Sequence, residues 1–264
     1  MSSQSTSNRI AVVLFNLGGP DNPEAIQPFL FNLFNDPAII RIPNPFRLLL
    51  AHIVSRKRAP EATEIYNNIG GGSPLLPNTQ AQARRLDGFL NDGSVGEVKS
   101  FIAMRYWHPM AMETALAVKE FNPDSIILLP LYPQFSSTTT ASSVRQWTKV
   151  CGQVGLSAPT RTICCYPIEV GFIGRSAALV REAYERASAH GKPRILFSAH
   201  GLPESVVKSG DPYQWQVEQT SAAIVQAMAM EDLDWVTCYQ SRVGPLEWIK
   251  PATEDEIKRA GDDG

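Results

Sequence analysis

His200 ends a short apolar run, Arg194-Ile-Leu-Phe-Ser-Ala-His200, and Gly201-Leu202-Pro203 follows at once. A neutral imidazole there can accept protons near neutral pH and can ligate a divalent ion. The end of a strand would hold it on a rigid element. The plainer reading is a histidine that hydrogen-bonds its own loop, and the spacing alone leaves both open.

Other apolar runs also end in residues with chemistry. Asn16-Leu17-Gly18-Gly19-Pro20 follows the first, Arg105-Tyr106-Trp107-His108-Pro109 the second, and Tyr132-Pro133-Gln134-Phe135 with a run of hydroxyls the third. Tyr166-Pro167 follows the fourth, and Gln240-Ser241-Arg242 the sixth. Aromatic, hydroxyl and cationic groups beside Gly and Pro describe a cleft with flat apolar walls and few polar groups. Leu17-Gly-Gly-Pro20 is a weak match to a phosphate loop, and neither GxGxxG nor GxxxxGK[ST] occurs. Gly70-Gly-Gly-Ser73-Pro74 has backbone N–H groups that could hold a carboxylate. No GxSxG elbow and no HExxH occurs, and the four histidines are far apart, which disfavours hydrolase and zinc chemistry.

The elements that must carry these loops alternate. Strands are expected at Ile10–Leu17, Val98–Met104, Ser125–Leu131, Thr160–Tyr166, Arg194–Ala199 and Leu233–Tyr239. Helical patterns fall at Pro23–Phe34, Asn78–Leu90, Met110–Glu120, Thr138–Cys151, Gly171–Ala189 and Pro212–Met230. Strands apolar on both faces argue for parallel sheets covered by helices, where ligands bind outside the carboxyl ends of the strands. The expectation is an α/β chain of two Rossmann-like lobes, residues 1–155 and 156–264, with three strands each. Thr253-Glu-Asp-Glu256 reads as a capping box before a short helix that Gly261 would stop. A strand should follow that helix, so the second lobe is expected to be incomplete.

At 264 residues, 44% hydrophobic and 19% charged, the chain is globular in composition. A net charge of −2 gives no footprint for nucleic acid. No apolar run reaches bilayer length, and the polar start lacks a signal-peptide core. Four cysteines without CxxC spacing point to a reducing, cytoplasmic setting. Residues 39–60 stand apart: Arg41, Arg47, Arg56, Lys57 and Arg58 occur with no acid, and Phe46, Leu49, Leu50, Ile53 and Val54 recur at helical spacing. Such a helix suits an anionic membrane surface or an apolar ligand bearing carboxylates. A core-packed helix with a solvated basic face is the alternative.

Together these stretches resemble ferrochelatase. The matching pieces are FNLGGP (15–20), SRKRAP (55–60), IYNNIGGGSP (65–74), MRYWHP (104–109), LYPQFSSTTTASS (131–143), FSAHGLP (197–203), GDPY (210–213) and YQSRVGPLEWIKP (239–251). They follow the family's order. The resemblance implies insertion of ferrous iron into protoporphyrin IX with release of two protons, in haem biosynthesis. FNLGGP is similar to the form found in protoporphyrin-type enzymes. An inactive porphyrin-binding fragment and a chelatase for another tetrapyrrole are the alternatives.

Residue roles follow from the same resemblance. His200 is the catalytic base and metal ligand. Leu17, Phe34, Val243 and Trp248 match macrocycle contacts. Arg58 and Ser73 match positions near the propionates. Arg105, Tyr106 and Tyr132 match polar groups opposite the histidine, and Tyr213 matches a position beside the site. Residues 39–74 become the pocket lip, and residues 39–60 touch an anionic membrane peripherally. The family also has a downstream acidic segment that falls beyond Gly264, so the chain reads as truncated. Some members hold an iron–sulfur cluster; Ser137 stands at one ligand position, and no [2Fe-2S] cluster is expected here. Iron is a substrate, and no cofactor is required.

Overall fold

The computed structural model describes residues 8–263 except 41, 94 and 243. Arg41 and Val243 therefore lie outside the described residues. The chain divides into two compact units: the residues up to Tyr132 together with Ser137–Cys164, and Pro133–Ser136 together with Cys165 onward.

The first unit is built on β1 (Arg9–Asn16), β2 (Glu97–Met104), β3 (Ser125–Pro130) and β4 (Thr160–Thr162). They form one parallel sheet in the order β2-β1-β3-β4. Its helices are α1 (Ile26–Phe34), α2 (Phe46–Asn67), α3 (Leu75–Leu90), α4 (Ala111–Phe121) and α5 (Thr140–Val154). Central β1 shows why its sequence is apolar without alternation. Ala11, Val13 and Phe15 pack with α4 and α5, while Val12 and Leu14 share a cluster with Ala83 of α3. A strand covered on both faces needs apolar residues at every position. With β2 on one side of β1 and β3 on the other, the order reverses there, and the loops after β1 and β3 flank that crevice.

The expected grouping of three strands and three is replaced by four and two. β4 pairs with β3 rather than with β5. It is short, and its Thr-Arg-Thr residues are exposed, as suits the edge of a sheet. The apolar Ile163–Tyr166 that lengthened the expected strand lies outside the ladder.

The second unit contains α6 (Val170–Ala187), β5 (Arg194–His200), α7 (Glu204–Lys208), α8 (Tyr213–Met228), β6 (Asp234–Gln240) and α9 (Thr253–Asp262). Among the described residues its sheet has two strands, β5 and β6, parallel from Arg194 opposite Asp234 to His200 opposite Gln240. Ile173 and Ala177 of α6 and Ile224 and Met228 of α8 pack with Ile195 and Phe197 of β5. The expected capping box does not form. α9 starts at Thr253 itself, after an Ala252 N-cap. The Thr253 hydroxyl instead meets Ser198 Oγ at 2.8 Å. Gly261 lies inside the helix rather than stopping it. No helix among the described residues is long and apolar enough to cross a membrane.

Trp147 of α5 is 2% exposed and meets Phe15 of β1 edge-on, with ring centroids 6.0 Å apart. Trp147→Ala should lower unfolding free energy by about 3–5 kcal/mol in urea denaturation, whereas exposed Trp215→Ala should change it little. Equal midpoints for the two variants would contradict this assignment of the core.

Candidate active site

In the second unit the imidazole stands at the last residue of β5. Its Nδ1 lies 2.7 Å from the Gly201 carbonyl oxygen. A carbonyl only accepts, so Nδ1 carries a proton, and the neutral tautomer that keeps this bond has a bare Nε2. The loop that supplies this acceptor is tied on both sides. Gly201 N–H donates to Gln240 O at 2.8 Å, Ile249 N–H to Leu202 O at 3.0 Å, and Glu204 N–H to Glu247 O at 2.9 Å. Trp248 pairs with Pro203 in an antiparallel bridge. A side chain at Gly201 would put its Cβ 2.9 Å from Gln240 O and 3.2 Å from the Trp248 ring, so only glycine fits between them.

Tyr213 completes this cluster. Burial pushes its phenol up to about 12, against an opposing hydrogen bond from the His200 backbone. The hydroxyl thus stays protonated beside the histidine across the neutral range. Asp211 positions it: Oδ1 accepts from Tyr213 N–H at 3.0 Å, at the start of α8, and Oδ2 accepts from Ser136 Oγ at 3.0 Å. The Gly-Asp-Pro-Tyr motif is therefore a helix start fixed by a buried carboxylate. Tyr213 stands out in that motif, whereas Asp211 beside Gly and Pro reads as a turn residue.

In the first unit Arg105 and Tyr106, just after β2, converge on Asp36, two residues beyond Phe34 and the end of α1. Asp36 Oδ2 accepts from Arg105 Nη2 at 2.7 Å and from the Tyr106 hydroxyl at 2.8 Å. Its Oδ1 accepts from Ala38 N–H at 2.8 Å. Arg105 also donates to Ser142 Oγ at 3.1 Å and Gln146 Oε1 at 2.8 Å. Burial, with the charge and hydrogen bond of Asp36, holds the Tyr106 phenol well above its usual range. Tyr106 is a buried donor to a carboxylate, so its hydroxyl is already engaged. Sequence gave no sign of Asp36, because a lone Asp at a helix end reads as a turn residue.

The remaining first-unit residues are held separately. Leu17 is partly exposed after β1, and its carbonyl accepts from Tyr106 N–H at 2.9 Å. Half-buried Phe34 ends α1. Tyr132 Oη and Ser143 Oγ are 2.8 Å apart. Ser73 N–H donates to Pro20 O at 2.7 Å, and a Cβ on Gly19 would lie 2.5 Å from Ser73 Oγ. The two Gly-rich loops are thus packed together. Arg58 is exposed on α2, and among the described residues no carboxylate pairs with it.

α2 leaves part of its apolar stripe outside the core. Its packing face carries Ala51 and Ser55, both fully buried, and Ser55 Oγ accepts from Gln27 of α1 at 3.2 Å. Phe46, Leu49 and Ile53 are 68%, 61% and 56% exposed. The core-packed reading of this helix therefore does not hold for that apolar stripe. The helix also runs through Pro60 to Asn67, well past the basic cluster.

No group of three His, Cys, Asp or Glu side chains that could hold a metal occurs among the described residues. Burial pushes the Cys151 thiol up to about 11, which disfavours its thiolate.

The Asp36 cluster has a direct consequence. Asp36→Asn should cost about 3 kcal/mol in unfolding free energy, because Arg105 would lose its carboxylate in a largely buried site. A second substitution, Arg105→Met, should recover part of that loss in a double-mutant cycle. Strict additivity of the two substitutions would show that the pair is not coupled.

The ferrochelatase family model matches residues 9–264. The chain is 54% identical over 256 residues to ferrochelatase of Caulobacter vibrioides (strain NA1000 / CB15N), covering 97% of this chain and 73% of that protein. It is 51% identical over 254 residues to ferrochelatase of Wolbachia sp. subsp. Drosophila simulans (strain wRi), with 96% and 81% covered. Against ferrochelatase of Pelagibacter ubique (strain HTCC1062) it is 50% identical over 248 residues, with 94% and 71% covered. On the extent of the match and the identity of these relatives, the chain belongs to the ferrochelatase family.

Proposed function

We propose that this chain inserts ferrous iron into protoporphyrin IX, with release of two protons. Family membership gives the reaction class, metal insertion into a porphyrin in haem synthesis. The observation that carries the finer reading is the His200 tautomer, with Nδ1–H spent on Gly201 O and Nε2 open. The two inner N–H protons of a porphyrin must leave before its four nitrogens can hold a divalent metal. His200 Nε2 accepts them in turn, passing each to solvent, and the same lone pair can meet the incoming ion. Iron enters as substrate, and the reading needs no resident cofactor.

Arg58 and Ser73 take the propionates in this reading. An unpaired guanidinium can bind a carboxylate through two parallel hydrogen bonds, which orients the ring as well as attracting it. Leu17, Phe34, Val243 and Trp248 contact the apolar macrocycle. Tyr132 and Arg105 contribute polar groups along the metal's approach. Tyr106 serves by holding Asp36 against Arg105, since its own hydroxyl is engaged. Tyr213 supports the histidine.

The exposed stripe of α2 supports a peripheral contact with anionic lipid at a cytoplasmic membrane face. Phe46, Leu49 and Ile53 supply apolar area, and Arg56 and Lys57 lie on the same helix.

Zinc insertion into protoporphyrin IX, followed by product fluorescence, tests the chemistry without ferrous oxidation. His200→Ala should lower kcat by about 10²-fold or more while porphyrin still binds. Unchanged turnover would remove His200 from the mechanism. Co-sedimentation with phosphatidylglycerol vesicles tests the lipid contact. Phe46→Glu with Leu49→Glu should abolish pelleting, and salt should weaken it in the parent chain. Pelleting equal to the parent would move the contact elsewhere.

A further inference from the structure

A cavity of about 720 Å³ lies in the first unit, along α5. Ser142, Arg145 and Lys149 line it from that helix, Thr138 lines it from the segment just before the helix, and Asp36 and Arg105 close one wall. We propose that this cavity binds a phosphate group, and that it does so as a site separate from the porphyrin chemistry.

The charge balance is the first argument. Asp36 is 4% exposed and its two oxygens are engaged by Arg105, Tyr106 and Ala38. Its charge is matched within the wall. Arg145 and Lys149 then add two positive charges one turn apart, and among the described residues no carboxylate pairs with either. Arg145 spends one Nη2 donor on Ser137 O at 3.3 Å and keeps the rest of its fork.

The donors are the second argument. Ser142 Oγ accepts from Arg105 Nε, so its proton can be given to a ligand. α5 has no acid in its first turn, and its Thr139 N-cap side chain makes no capping bond. The positive end of the helix is uncompensated by a side chain.

The mixture of donors selects the ligand class. A planar monocarboxylate is satisfied by one guanidinium fork. A tetrahedral dianion has enough oxygens for a fork, an ammonium and hydroxyls at once. The volume exceeds that of inorganic phosphate, which favours a phosphate monoester with its organic part along the groove. Of the residues assigned to the porphyrin, only Arg105 touches this cavity.

Isothermal titration of the 264-residue chain with inorganic phosphate, at ionic strength fixed by chloride, tests the proposal. Saturable binding should weaken about tenfold in Arg145→Gln and in Lys149→Gln, and vanish in the double variant. Lys192→Gln, on the exposed surface of the second unit, should bind as the parent does. Titration with glycerol 3-phosphate distinguishes the source. Tighter binding than phosphate identifies a monoester ligand, and equal binding identifies free phosphate. Both variant side chains are exposed, so circular dichroism should show the fold kept. No saturable heat, or equal affinity in the double variant, overturns the proposal.

Discussion

Asp36 is the constraint on which much of the first unit turns. A carboxylate almost fully removed from water is costly unless its charge is met and its lone pairs are filled. Arg105, the Tyr106 hydroxyl and the Ala38 amide meet those needs together. The same contacts pin the β2 exit to the end of α1. Asn32 of α1 adds a second tie, donating to the Tyr106 carbonyl at 3.1 Å. The Arg-Tyr pair thus arrives at the strand exit with its conformation set before any substrate is present.

The histidine end solves a different problem. An imidazole is useful as a base only when the tautomer is fixed and the ring does not wander. Gly201 supplies the acceptor that fixes Nδ1–H, and its missing side chain lets Trp248 and the Gln240 carbonyl come close. The Phe-Ser-Ala-His-Gly-Leu-Pro motif is therefore one structural device. The strand aims the imidazole, the glycine orients its protons, and the proline begins the pairing with the Trp248 segment.

Central β1 was readable because burial on both faces forces an apolar run. The place of His200 at the end of β5 was readable because its motif is local. Long-range partners left no such trace. Asp36 finds Arg105 across 69 residues of sequence separation, and nothing beside Asp36 announces it. β4 was misgrouped because Ile163–Tyr166 continues an apolar run after the ladder has ended, and periodicity cannot tell an edge from a core strand over three residues. The capping box failed because Thr253 found a tertiary hydroxyl partner in Ser198, and tertiary contacts override local propensity.

α2 shows how pattern and placement can part company. Its apolar residues recur at helical spacing, which by itself argues for a face turned inward. Ala51 and Ser55 occupy the inward face instead, and their small size lets the helix approach α1 closely. Phe31 and His52 stack at 4.4 Å across that contact. The large residues Phe46, Leu49 and Ile53 are left to solvent beside a run of cations. Scattered exposed apolar residues need no explanation, but a helical stripe of them does. In the proposed reading, an apolar substrate carrying two carboxylates, or an anionic lipid surface, meets both the apolar stripe and the cations on the same helix.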